Sequence, residues 1–253
     1  MRGRIAILAV LLTASAAHGL EKSMLSLKLP SELEARQSQF FLQHRFHGKI
    51  NEEPLESFFG MSGGANVGLG FRVGLLKNLE IVALHVFNEN EYSLAVGYAV
   101  KFPSLPLRAQ VDAGIYTNKK FYVLSGGVEF KRKQFAAFRL DLASKAILNH
   151  LTPVVNVGYD TELEQAGLGI GLDAAISKKY SLIGEYYPRL NGDENGNGPK
   201  YDSFAVGLKV QTYGHHFLFH VGNNTEIGTR KLMAGSTAKD LFFGFGIQRL
   251  LEF

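Results

Sequence analysis

From Met61 onward, apolar and polar residues alternate with a period of two, and almost no segment shows the 3.6-residue period of a helix. Ala65, Val67, Leu69, Phe71, Val73 and Leu75 share one face; Asn66, Gly68, Gly70, Arg72 and Gly74 share the other. The alternation returns over residues 92–102, 166–176 and 204–210. Residues two apart point to the same side of a strand, so each set defines a face. The stretches run about 10–13 residues, whereas strands of globular proteins run about 5–6. Roughly ten tilted residues are what a bilayer crossing takes. The second face carries Gly, Ser, Asn, Gln, Arg, Glu and Asp, so it is not a second apolar layer. One apolar face outward and one polar face inward is the arrangement of an outer-membrane barrel. The pattern therefore predicts an all-β fold, an antiparallel up-and-down transmembrane β-barrel. The opposite phase gives a soluble lipocalin-like ligand carrier, and periodicity alone does not say which face points out.

Thirteen strand-like stretches begin near residues 37, 64, 79, 91, 106, 121, 135, 151, 165, 179, 201, 215 and 241. Bacterial single-chain barrels have even counts. Residues 77–78, 178–179 and 213–214 resemble tight periplasmic turns, and an even number of strands must separate turns on one side. Seven stretches lie between residues 78 and 178, so something there is split wrongly. Residues 118–134 are the suspect, part of them a loop or a loop hairpin. The corrected count is about 12 strands over 37–253, with outer connections at 47–63, 118–134, 190–200 and 223–239. Residues 20–36 lack alternation and read as a periplasmic tail, and 53–59 as a short helix in the first outer loop.

The start of the chain points to export. Arg2 and Arg4 precede an apolar run at 5–13 and the small residues of 14–19, the layout of a cleavable signal peptide over 1–19. Its loss would leave 25 Lys+Arg against 23 Asp+Glu, from 27 and 23 in the full chain. No basic patch with interleaved aromatics stands out, which argues against nucleic acid. There is no cysteine, hence no disulfide, thiol nucleophile or lipoprotein anchor. With 19 Phe, 10 Tyr and no Trp, any aromatic girdle must be Tyr and Phe. At the far end, Phe245, Ile247, Leu251 and terminal Phe253 share the apolar face of a last strand. That ending looks like the signal read by the barrel-assembly machinery of double-membraned bacteria.

Candidate chemistry is sparse. No GxSxG, HExxH or P-loop spacing occurs. Asp193, Asn195, Asn197 and Gly198 match the opening of a calcium loop, but Phe204 stands where the bidentate Glu belongs, so a hairpin turn is the better reading. His216 and His220 face away from Phe217 and Phe219 and so point into the lumen, roughly 13 Å apart along the strand, too far for one metal ion between them. Gln43 and Arg45 share the polar face of the first strand and could converge with His220. His44 falls on the apolar face. Arg72, Arg139, Asp141, Glu185 and Tyr187 are further inward candidates. A hydrogen-bonded network filling a narrow barrel is the plain reading of this set. It implies no cofactor and no metal.

The function this supports is a non-enzymatic, porin-like narrow channel or a barrel that binds or transports a small solute. An outer-membrane enzyme acting on lipid or lipopolysaccharide is the alternative. It would need a nucleophile–base pair at the outer rim, and the central His150 lies at the periplasmic end. A surface adhesion partner working through 190–200 and 223–239 is weaker. Expected partners are outer-membrane lipid, the assembly machinery during biogenesis and a small solute.

Residues 41–46 (FLQHRF), Phe58-Phe59-Gly60 and residues 214–220 (GHHFLFH) are similar to a family of bacterial outer-membrane β-barrel proteins of uncharacterised function. Members open with a QHRF-like strand and carry Gly-His-x-Phe-x-x-x-His followed by Asn near the end. Gly214, His215, Phe217 and Asn223 fit, with His220 one position early. The Glu185-Tyr186-Tyr187 strand also resembles the family. The resemblance implies a barrel of twelve strands and no assigned substrate.

Overall fold

A computed structural model describes residues 24–31, 33–88, 90–102, 107–124, 127–144, 150–190 and 198–252. Residues 1–19, expected to be a signal peptide, the calcium-like residues Asp193, Asn195 and Asn197, and Phe253 lie outside the described residues. Twelve antiparallel strands close into a barrel: β1 (Gln37–Lys49), β2 (Ala65–Leu76), β3 (Leu79–Val86), β4 (Glu91–Lys101), β5 (Leu107–Leu124), β6 (Gly127–Ser144), β7 (Leu151–Asp160), β8 (Gln165–Ala175), β9 (Tyr180–Tyr187), β10 (Ser203–Thr212), β11 (His215–Gly222) and β12 (Phe242–Glu252). Each strand pairs with its chain neighbours, and β1 pairs with β12 to close the sheet, Leu42 opposite Ile247 and Ser38 opposite Leu251. Closure removes the unpaired edges that lipid could not satisfy.

The three short stretches suspected in 106–144 are two strands of 18 residues each, β5 and β6, paired from Leu107 opposite Ser144 to Leu124 opposite Gly127. Their upper part is a hairpin standing beyond its neighbours. Turns 77–78 and 213–214 are the expected two-residue connections, with Asn78 and Gly214 at φ 70° and 79°. The expected helix at 53–59 does not form. Glu53, Phe58 and Phe59 have positive φ, and a chain of turns leads into a 3-10 turn at Met61–Gly63.

The apolar face points outward. Phe71, Leu94, Val96, Val111, Ile115, Phe138, Ile170, Leu182 and Val206 are all exposed large hydrophobics. Exposed Tyr92, Tyr159 and Tyr186 lie toward the long-loop end of their strands, and Tyr98, Tyr180 and Tyr213 toward the short-turn end. Two tyrosine girdles thus flank an apolar band, as in a transmembrane barrel. A soluble carrier would need the reverse phase and is ruled out by it. On the same outer face, His44 stacks on Phe245 with ring centroids 4.6 Å apart.

Candidate functional site: a lumen with two inserts

The polar face builds a network inside the barrel. Gln39 donates to Gln248 (3.3 Å) and accepts from Arg72 (3.1 Å), which also reaches Glu80 (3.0 Å). Gln110 donates to Glu80 (2.8 Å) and to Asp112 (2.9 Å). Arg139 joins Asp112 (3.2 Å) to Asp141 (2.6 Å). The chain of contacts runs from β12 through β1, β2, β3 and β5 to β6, in the half of the barrel nearer the short turns. Gly97 of β4 makes room, since a Cβ there would meet Gln110 Nε2 at 2.2 Å and Asp112 Oδ1 at 2.3 Å. Burial in low dielectric makes unpaired charges costly, so alternating acids and bases are what a filled interior requires. On the opposite wall Lys209 pairs with Asp173.

Two segments enter this lumen. The first is the N-terminal stretch. Residues 20–36, expected to lie outside as a tail, do not do so over their described part. Met24, Leu25, Leu27, Leu29 and Leu33 are all buried. The segment starts at the short-turn end, where the Arg36 N–H donates to the Gly74 carbonyl (3.0 Å), and runs up the lumen to Met24. Wall side chains satisfy its backbone. The Ser26 and Leu27 N–H groups donate to Glu185 (2.8 and 3.0 Å), and Tyr187 adds its hydroxyl to the same carboxylate (2.9 Å). Asn156 accepts from the Lys28 N–H and donates to its carbonyl, both at 2.8 Å, as a neighbouring strand would. Gln110 accepts from Ser31 N–H (2.5 Å), and Gln43 donates to the Leu25 carbonyl (2.9 Å). The Lys28 ammonium lands between Glu80 and Asp112, 2.7 Å from the latter. Alternation was absent from this stretch because it pairs with side chains, not with a strand.

The second insert is the β11–β12 connection, expected outside but folded into the long-loop mouth. Its short helix α1 (Thr229–Met233) carries Leu232 and Met233, both buried along with Ile227. Arg230 reaches Asp160 (2.8 Å), Glu162 (2.8 Å) and Glu91, and lies 4.8 Å over the Tyr116 ring. Burial works against the Arg230 charge, but the carboxylates around it outweigh that and raise its pKa. Asn66 donates to the Thr225 carbonyl (3.2 Å). The two inserts meet where Thr229 Oγ1 donates to the Ser26 carbonyl (2.7 Å).

Glycines on β8 make space for both. A Cβ on Gly167 would meet Met233 at 2.4 Å, and one on Gly169 or Gly171 would meet Leu27 at 2.5 Å. Cavities of about 150 Å³ beside the N-terminal insert and about 30 Å³ beside α1 remain. A third, of about 320 Å³, opens between Glu162, Asn224, Glu226 and Lys231 at the outer mouth.

The lumen candidates read from sequence all lie on the inner side. Arg45 binds both inserts, donating to Ser26 Oγ (2.5 Å) and to the Asn224 carbonyl (3.0 Å). His220 and Arg45 flank Gly244 of β12 in register, and the His220 ring would come within 2.4 Å of a Cβ there. His216 is buried on the same face. Arg72, Arg139 and Asp141 form the network, while Glu185 and Tyr187 hold the N-terminal insert. Among the described residues no group of three or more His, Asp or Glu is set to hold a metal ion. Of the terminal-strand residues, Phe245 and Ile247 are part-exposed and Leu251 is buried. Sequence reasoning missed Lys28, Arg230, Glu80, Glu91, Asp112 and Asp160. The glycine row on the inner face of β8 was the available signal that something packs there.

A family model described as "Membrane bound beta barrel domain (DUF5777)" matches residues 112–251, more than half of the chain. No curated protein matches. Among solved structures the chain is similar to one described as KdgM porin, at TM-score 0.54 and 11% identity, covering 84% of this chain and 98% of that one. It is also similar to NanC porin, at TM-score 0.50 and 10% identity, covering 85% and 99%. At such identities the likeness is one of fold.

Proposed function

The chain belongs to this family of membrane-bound β-barrel domains and sits in the outer membrane, where even-stranded single-chain barrels occur; on that premise we propose that it is a solute channel kept closed by its own N-terminal segment. The observation that carries this reading is the insertion of residues 24–36 along the lumen, held by wall side chains such as Glu185, Asn156 and Gln110. A wall that needed only filling would be served by apolar side chains. Polar groups that satisfy an inserted backbone, and are equally able to satisfy water and a polar solute, suit a path that opens. The two solved neighbours are named as porins, which is in keeping with a pore.

Planar-bilayer conductance tests it. The mature chain should give rare openings, and a variant lacking residues 20–34 should give discrete steps while keeping the heat-modifiable gel mobility of a folded barrel. Loss of Lys28 leaves Glu80 and Asp112 less compensated, so the opened pore should favour cations. A folded deletion variant without conductance would contradict the channel. The reading that then gains is small-solute binding in the cavity of about 150 Å³.

A further inference from the structure

The outer surface carries a feature that the lumen does not explain. The β4–β5 ladder ends at Tyr92 opposite Thr117, and the β6–β7 ladder ends at Ala137 opposite Asp160. The β5–β6 ladder continues past both, from Asn118 opposite Lys133 to Leu124 opposite Gly127, and among the described residues neither edge of that part pairs with a strand. Its first rungs are basic: Lys119 stands opposite Arg132, and Lys120 opposite Lys131.

Phase places one pair on the lipid side. Val111, Ile115, Phe138 and Leu140 are exposed on the outward face, and Lys119 and Arg132 continue that face upward. Four residues separate Ile115 from Lys119, roughly 13 Å along the strand, so the cations stand just above the apolar band. Arg132 lies 5.5 Å over the ring of Tyr92, a girdle residue, and donates to Thr117 Oγ1 (3.4 Å). Directly below is a groove of about 240 Å³ on the outer wall, lined by Tyr92, Leu94, Ile115, Thr117 and Gln134.

We propose that this groove and the Lys119–Arg132 pair form a binding site for a phosphorylated glycolipid of the outer leaflet. The phosphate sits between the two cations, and an acyl chain lies along Leu94 and Ile115. An apolar floor reached from the bilayer, with cations at headgroup height, fits an amphiphile whose polar end is anionic. A planar guanidinium matches phosphate oxygens in two-point geometry, and an ammonium adds a point charge. The site faces lipid and is independent of whether the lumen conducts.

Native mass spectrometry of the full mature chain, released from detergent after incubation with diphosphoryl lipid A, reads the bound lipid directly. The wild type should retain it about tenfold better than the same lipid stripped of its phosphates, since each basic residue near a membrane surface contributes a few-fold. Lys119→Gln with Arg132→Gln should abolish that preference. Ile115→Trp, which fills the groove and keeps both cations, should reduce retention of either lipid. Heat-modifiable mobility reports whether each variant is folded. Equal retention by the double glutamine variant, or equal binding of the dephosphorylated lipid, would overturn the proposal. Displacement by millimolar inorganic phosphate would also overturn it, because the site would then read the anion and not the lipid.

Discussion

The two segments inside the barrel are built on different terms. The N-terminal insert runs along the wall over its described residues, held mainly by uncharged hydrogen bonds, with Glu185 accepting two of its N–H groups and its own Lys28 placed between Glu80 and Asp112. The β11–β12 insert is tied at both ends, carries a helical turn, and is clamped by one guanidinium among three carboxylates. Tyr201, just before β10, buttresses it as well through backbone pairing with Ser236. Of the two, the N-terminal insert is the one proposed to leave, because moving the loop strands three buried acids around Arg230.

The contrast can be broken hardest at Arg230. Arg230→Ala leaves Glu91, Asp160 and Glu162 without their shared cation, and breaking such a buried pair costs about 3–5 kcal/mol. The temperature of the heat-modifiable gel shift should fall clearly, and Arg230→Lys should restore part of it. Glu185→Ala is next. It orphans the Ser26 and Leu27 N–H groups at about 1–3 kcal/mol, and should raise open probability in bilayers with little change in barrel melting. A smaller and sharper test uses β8, where Gly171→Val would meet Leu27 and Met24 while Gly167→Val would meet Met233. Overpacking costs about 1–3 kcal/mol, so the first should expose a cysteine placed at position 29, where Leu29 is buried, to thiol reagents and the second should not. The smallest effect is one of pH. The Arg189 N–H and the Tyr186 hydroxyl hold the Asp202 carboxyl below its ordinary range. That contribution is complete above the ordinary carboxylate value of about pH 4 and is lost as pH falls through the depressed folded value. Acid should therefore loosen the buttress of the loop before the N-terminal insert, as followed by protease sensitivity near residue 200.

Much of the barrel was legible because period-two alternation is a local property. Parity placed the mis-split between the turns at 78 and 178, with 118–134 the suspect, since a closed antiparallel sheet admits only an even count. The lumen face was equally legible, and Arg45, Glu185 and Tyr187 were placed inward from phase. Their task was not legible, because Arg45 reaches Ser26 and Asn224, contacts 19 and 179 residues apart in the chain. The inserts lacked any periodic signature: one is a segment outside any strand that meets wall side chains, the other a five-residue helix inside a loop. The cations at 119–120 and 131–133 looked like an unremarkable outer loop until register set them opposite one another.

The most direct test of the account is to open the barrel by deleting residues 20–34 and then add a synthetic peptide of residues 20–36 to one side of the bilayer. The opened pore should close again with micromolar peptide from the short-turn side only, and a peptide lacking the Lys28 charge should block less well. Conductance that ignores the peptide, or is blocked equally from both sides, would show that the N-terminal segment is not the closure.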